Sequence, residues 1–220
     1  MAGGAGDSAR PGETRRERVG LLGGTFDPVH IAHLVAASAA LCALDLDRVV
    51  LVVAGDPWQK RESVVASAVD RLAMTRAAVD EIQADDGSGR LEVSALEVGR
   101  PGPTYTIDTL RAFSAAERDL FLIVGSDVAS RLDTWHRADE VRKAATLVVV
   151  SRGDGPDEAA ETTTHTASRG EGRVVGLRIP RLDVASTDIR ARVAAGEPID
   201  VLVPAGVVRV IRERRLYTRS

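Results

Sequence analysis

The order of residues predicts an α/β fold, a doubly wound parallel sheet with a small C-terminal helical part. Four short apolar runs bounded by turn residues recur at 19–22, 49–53, 120–124 and 146–150, the kind of strand that is buried on both faces. Between them lie stretches with helical spacing, 33–44, 66–82 and 106–118, long enough to serve as crossovers. A hydrophobic share of 44% and a charged share of 28% suit a globular chain, so the alternation itself sets the class.

Taken in order, residues 1–17 are rich in Gly, Ala, Arg and Glu without an apolar run, and read as a disordered tail rather than a signal peptide. The first strand then runs into Gly23-Gly24, and the first helix follows. The second strand leads into a Pro-containing loop and the 66–82 helix. The 106–118 helix precedes the strand at 120–124, which ends in Gly125. Residues 153–172 lose the apolar period to Gly, Asp, Glu, Thr and Ser and read as a mobile surface loop. A last strand at 174–179 and closing helices at 187–195 and 205–214 complete the chain. At 220 residues this is one domain, 18–185, with 186–220 as a helical subregion of it.

A net charge of −3 argues against a protein that coats nucleic acid, so any anionic partner is met locally. The basic run from Arg209 to Arg215 reads as a solvated helix face with Val210 and Ile211 on its buried side. A single cysteine, Cys42, excludes an internal disulfide and a Cys-based metal site, which suits a reducing cytoplasm. No segment reaches the roughly 20 apolar residues of a membrane span.

The most informative stretch is Gly23-Gly24-Thr25-Phe26-Asp27-Pro28-Val29-His30-Ile31-Ala32-His33. Paired glycines after a parallel strand let backbone N–H groups approach a phosphate, and the helix start adds its positive dipole end. His30 and His33, three apart, share one face of the first turn. The spacing matches neither the dinucleotide fingerprint nor the phosphate loop that ends in G-K-[ST]. Zinc at the two histidines is disfavoured, because no third ligand is at hand.

As a whole the run resembles the (H/T)-x-G-H motif of the α/β nucleotidyltransferase superfamily, with Ala32 where that family usually has Gly. His30 in place of Thr is similar to the bacterial nicotinate mononucleotide adenylyltransferase branch. Further matches to that branch follow: Pro57-Trp58-Gln59-Lys60, Arg71-Leu72-Ala73-Met74, Gly102-Pro103-Thr104-Tyr105-Thr106, Gly125-Ser126-Asp127, and Leu132-Asp133-Thr134-Trp135-His136. Ser186-Thr187-Asp188-Ile189-Arg190 resembles the family's I-S-S-T-x-I-R segment, with Ala185 replacing its first serine, and 207–217 its closing helix. The resemblance spans roughly residues 19–217.

The resemblance implies a Rossmann-like nucleotidyltransferase fold and transfer of the adenylyl group of ATP to nicotinate mononucleotide, a step in making NAD. ATP would meet Gly23, Gly24, Thr25, Phe26, His30, His33, Gly125, Asp127, Ser186, Thr187 and Arg190, with His30, His33 and Arg190 as the catalytic donors. Lys60, Thr104, Tyr105, Thr106, Trp135 and His136 would meet the mononucleotide, with Trp135 on the pyridine ring. Mg²⁺ would arrive on the ATP phosphates, with Asp127 near it or near ribose hydroxyls, and the protein would supply no metal site of its own. No nucleic acid or membrane partner is expected, and a homo-oligomer is compatible with the sequence. Outside these roles, Arg71 and Met74 read as packing residues, His165 as a surface residue, and Ser186 or Thr187 as an N-cap. The nearest alternatives are an adenylyltransferase acting on nicotinamide mononucleotide or phosphopantetheine and, in another class, a non-catalytic nucleotide- or nucleic-acid-binding protein.

Overall fold

The computed structural model describes residues 15–57, 64–153, 163–165 and 172–218. The chain runs β1 (Glu17–Gly24), α1 (Ile31–Ala43), β2 (Arg48–Val53), α2 (Ala68–Asp86), β3 (Leu91–Ser94), α3 (Thr106–Phe113), β4 (Arg118–Gly125) and α4 (Ser126–Ala129). A 3-10 turn at Leu132–Thr134 precedes α5 (Ala138–Ala144), β5 (Thr146–Arg152), β6 (Thr163–His165), β7 (Val174–Ile179), α6 (Ser186–Ala195) and α7 (Ala205–Glu213).

One sheet holds the strands in the order β3-β2-β1-β4-β5-β7-β6. Strands β3, β2, β1, β4, β5 and β7 are mutually parallel, and β6 joins β7 antiparallel. The predicted class therefore holds, as a Rossmann-like doubly wound sheet. The chain builds outward from β1 to β3 on one side and from β4 to β7 on the other, so strand order reverses between β1 and β4. Such a reversal opens a crevice at the carboxyl ends of the strands, where α/β sheets bind ligands.

Alternation along the buried strands feeds two apolar layers. Val19 and Leu21 of β1 and Leu122 of β4 join Ile107 and Leu110 of α3 and Val141 of α5 on one face. Leu22, Leu51 and Ile123 join Ala37 of α1, Met74 of α2, Ile189 of α6 and Val207 of α7 on the other. The basic run of α7 turns Val210 and Ile211 inward, as its spacing predicts, while Arg214 pairs with Asp70.

Several boundaries differ from the sequence reading, each for a local reason. The chain is ordered before residue 18: Arg15 pairs with Asp45 and Asp47, and Glu17 already belongs to β1. Residues 1–14 lie outside the described residues. Helix α1 begins at Ile31, with His30 as its N-cap, rather than at 33. Helix α3 stops at Phe113 instead of 118, because Arg118 opens β4, bonds Glu17 and donates from Nη1 to the last helical carbonyl of Phe113 at 2.7 Å. Strand β3 and helix α5 escaped prediction because each buries one apolar residue, Leu91 and Val141 respectively. The stretch read as a loop, 153–172, contains β6, whose Thr163–His165 backbone covers part of the β7 edge. Cys42 sits at the end of α1 and is exposed.

Candidate active site

A cleft of about 960 Å³ opens at the carboxyl ends of β1, β2, β4 and β5. It brings together Gly23, Gly24, Thr25, Phe26, His30 and His33 from the β1–α1 turn, Gly125 and Asp127 after β4, and Ser186, Thr187 and Arg190 from the start of α6. From the opposite side come Thr104, Tyr105, Thr106, Trp135 and His136. Every site residue chosen from sequence thus lines one cavity except Lys60, which lies outside the described residues together with Trp58 and Gln59.

The β1–α1 turn is held by its own backbone oxygens. Gly24 accepts from the Ala54 N–H at 2.9 Å, and Thr25 from Arg71 Nη1 at 2.7 Å. Asp27 accepts at its carbonyl from Arg190 Nη1 at 2.7 Å, and Pro28 from Ser186 Oγ at 2.9 Å. The Ile31 N–H donates to the Leu202 carbonyl at 3.0 Å. Phe26 takes a left-handed φ of 50° and is buried, and its ring lies where a Cβ on residue 24 would come within 2.6 Å, so only glycine fits there. At Gly125 the close neighbour is the Asp127 carboxylate, whose Oδ1 lies 2.7 Å from the position of a Cβ, a side-chain end that can turn aside.

One sequence reading is corrected and another borne out by these bonds. Ser186 does not cap α6; Ala185 occupies the N-cap without a side-chain bond, and the Ser186 hydroxyl ties α6 to Pro28 instead. Arg71, read from sequence as a packing residue, is 1% exposed and spends its donors on the carbonyls of Thr25, Gly55 and Ala66.

The histidines stand as their spacing predicts, with ring centroids 3.8 Å apart and planes 31° apart. The His30 backbone N–H donates to His33 Nδ1 at 3.3 Å, so a neutral His33 carries its proton on Nε2. Phe26 meets the His33 ring edge-on at 5.0 Å, fixing its plane. His30 is 5% exposed, and burial, followed by the charge of Arg152, brings its pKa from 6.5 down to about 4. At neutral pH it is an uncharged imidazole.

That depression makes stability pH-dependent in a defined window. Above pH 6.5 His30 is neutral in both the folded and unfolded chain; as the pH falls from 6.5 toward about 4, only the unfolded chain takes up the proton and stability is lost. The loss is on the order of 2 kcal/mol at pH 5. Thermal midpoints measured from pH 7 to pH 5 should fall in the wild type and much less in His30→Asn. Parallel slopes for the two proteins would remove His30 as the cause.

On the opposite side, the rings of Tyr105 and His136 lie 4.4 Å apart with planes 32° apart, joining the 104–106 and 135–136 segments. Trp135 is partly buried against the α3 and α5 layer, and among the described residues its Nε1 has no hydrogen-bond partner. Beside them is Glu97, which sequence reasoning missed. Burial pushes its carboxyl above the ordinary range, opposed by hydrogen bonds from Thr109, at 2.5 Å, and Thr104. Arg131 and Arg152 also line the cleft unforeseen, the latter at the carboxyl end of β5, where strand position alone could have singled it out.

Residues 21–192 match a family model described as cytidylyltransferase-like. A protein of Acidothermus cellulolyticus named probable nicotinate-nucleotide adenylyltransferase is 41% identical over 213 residues, covering 94% of this chain and 97% of that one. One of the same name from Streptomyces coelicolor is 42% identical, covering 89% and 98%. The chain belongs to the nicotinate-nucleotide adenylyltransferase family. A solved structure of the Plasmodium falciparum nicotinic acid mononucleotide adenylyltransferase complexed with NaAD shares the fold, with a TM-score of 0.66 at 15% identity, covering 91% of this chain and 97% of that one.

The family's departures in this adenylyltransferase chain both fall in the cleft: Ala32 and Ala185 line its wall at the starts of α1 and α6. Among the described residues no helix is long and apolar enough to cross a membrane, and no group of three or more His, Cys, Asp or Glu is arranged to hold a metal.

Proposed function

We propose that this cleft transfers the adenylyl group of ATP to nicotinate mononucleotide, giving nicotinate adenine dinucleotide and pyrophosphate. The observation that carries the reading is the joining, in one cavity, of a phosphate-binding helix start bearing two imidazoles with a separate ring-lined wall. The mononucleotide phosphate oxygen attacks the α-phosphorus in line, one P–O bond forms, and the bond to the β-phosphate oxygen breaks. That phosphate is already an anion at neutral pH, so the protein aligns reactants and stabilises charge without a general base.

His33 Nε2–H and the neutral His30 donate to the phosphates on which charge builds, and the backbone of Gly23, Gly24, Thr25 and Phe26 lets those phosphates approach. Arg190, with Ser186 and Thr187 at the start of α6, holds the β- and γ-phosphates. Gly125 and Asp127 face the nucleotide. Mg²⁺ carried by the phosphates would neutralise their charge; the donor set fits it, because such an ion needs only one or two carboxylates and Asp127 is turned into the cleft. Lys60, Thr104, Tyr105, Thr106 and His136 serve the mononucleotide, with N–H groups at the start of α3 for the nicotinate carboxylate. A cytoplasmic enzyme is the setting this chemistry implies.

Trp135 is the acceptor residue most open to test. A stacked ring is worth roughly 1–3 kcal/mol by analogy with base–aromatic stacking. Trp135→Ala should raise KM for nicotinate mononucleotide about tenfold and leave ATP affinity nearly unchanged. An unchanged acceptor KM, or an equal loss for both substrates, would remove Trp135 from the acceptor site.

A further inference from the structure

We infer that Tyr217, just beyond α7, is a positioning residue for ATP: through the Asp27 carboxylate it fixes the β1–α1 turn and holds Arg190 in place. The inference rests on the ATP side of the proposed function. Asp27 is 2% exposed, so its carboxylate must find its partners inside the protein. Oδ2 accepts from the Val65 N–H at 2.7 Å, and Oδ1 from the Ala66 N–H at 3.2 Å and the Tyr217 hydroxyl at 2.7 Å. Arg190 Nη1 donates to the carbonyl of the same residue at 2.7 Å and stands 3.8 Å from Oδ2. Asp27 therefore ties together the turn before α1, the start of α2, the guanidinium of α6 and the segment after α7.

The chemistry of the fourth partner matters. A hydroxyl satisfies a carboxylate lone pair without bringing a further cation, so the Asp27 charge is shared by Arg190 and Arg71 alone among these groups. Burial and the bonded carboxylate push the Tyr217 hydroxyl well above its ordinary range, which keeps it a donor at every working pH. Arg71 is close enough to be felt by both groups, yet its bonds go to neutral carbonyls. Two guanidiniums against one carboxylate leave the cluster net positive behind the turn that the phosphates meet.

Position also argues for a dedicated role. Tyr217 adopts a φ of 62°, a left-handed conformation that costs a non-glycine residue energy and persists where the surroundings fix it. Its hydroxyl further lies 3.8 Å from Met74 Sδ, and Glu81 accepts the first N–H groups of α7, from Ala205 at 3.0 Å and Gly206 at 2.6 Å. The helix that delivers Tyr217 is thus anchored on α2, independently of the cleft.

The test is Tyr217→Phe, which keeps the ring and removes one donor. Affinity for a non-hydrolysable ATP analogue should fall about five- to tenfold, KM for nicotinate mononucleotide should stay within twofold, and the thermal midpoint should move little. Because Tyr217 acts through Arg190, the same substitution in an Arg190→Gln background should cost less than twofold. Unchanged analogue affinity in Tyr217→Phe, an equal loss for both substrates, or the full loss in the Arg190→Gln background would overturn the inference. Binding of the ATP analogue does not involve the acceptor, so a failure of acceptor choice leaves that arm of the test readable, whereas a wild type that binds no ATP analogue overturns both readings.

Discussion

His33→Ala should lower kcat by about 10² or more with a smaller change in either KM. The imidazole is set before substrate arrives: Nδ1 takes the His30 backbone N–H, Phe26 fixes the ring plane, and the neutral ring carries its proton on Nε2. A donor aimed at charge that develops only in the transition state raises kcat more than it tightens ground-state binding, and removing one such donor typically costs 10²–10³. His30→Ala should act in the same direction, with an added loss of stability because His30 is buried. Steady-state kinetics on the folded variants check both; a His33→Ala enzyme with near-normal kcat would show that the helix start does not stabilise the transferring phosphoryl group.

Arg71→Met should be the most destabilising single change in the phosphate-binding half. Met fills much of the volume but leaves the carbonyls of Thr25, Gly55 and Ala66 without their donors. An unsatisfied buried acceptor costs about 1–3 kcal/mol, and three that share one site should together cost about 3–5 kcal/mol. For a chain of this size each kcal/mol moves the midpoint by about 2–4 °C, so calorimetry should show a fall of about 10 °C. A shift under about 2 °C would mean that the turn is held without Arg71. The Met74→Ala change removes apolar volume and the thioether beside the Tyr217 hydroxyl, and should leave the turn's carbonyls paired.

What could be read from sequence follows from where the information sits along the chain. The strands at β1, β2, β4 and β5 are continuous apolar runs and were legible, as were the turn glycines and the histidine pair, whose meaning depends on residues a few positions apart. Strand β3 and helix α5 were not, since one buried side chain each gives no period to detect. The supports of the turn were hidden for a different reason. Arg71 reaches Thr25 across 46 positions, and Tyr217 reaches Asp27 across 190, so no local pattern distinguishes a bridging guanidinium from a solvated one. Glu97 was missed likewise: its environment is made by Thr104 and Thr109, which only the fold brings to it.

The same division applies to Ala185. It replaces the first serine of its motif, and the fold shows the neighbouring Ser186 hydroxyl committed to Pro28, so α6 is located by a tertiary bond rather than by a side-chain cap. A departure from a family pattern is interpretable once its neighbours' partners are known.

Acceptor choice is tested by kcat/KM for nicotinate mononucleotide, nicotinamide mononucleotide and phosphopantetheine, each with ATP and Mg²⁺, followed by pyrophosphate release. Replacing the carboxylate by a carboxamide removes its charge and sets an NH₂ against N–H donors, leaving buried polar groups unpaired at about 1–3 kcal/mol each. At least a tenfold preference for the acid over the amide and negligible turnover of phosphopantetheine are expected. Equal kcat/KM for acid and amide would contradict that expectation, leaving adenylyl transfer standing without nicotinate as its acceptor.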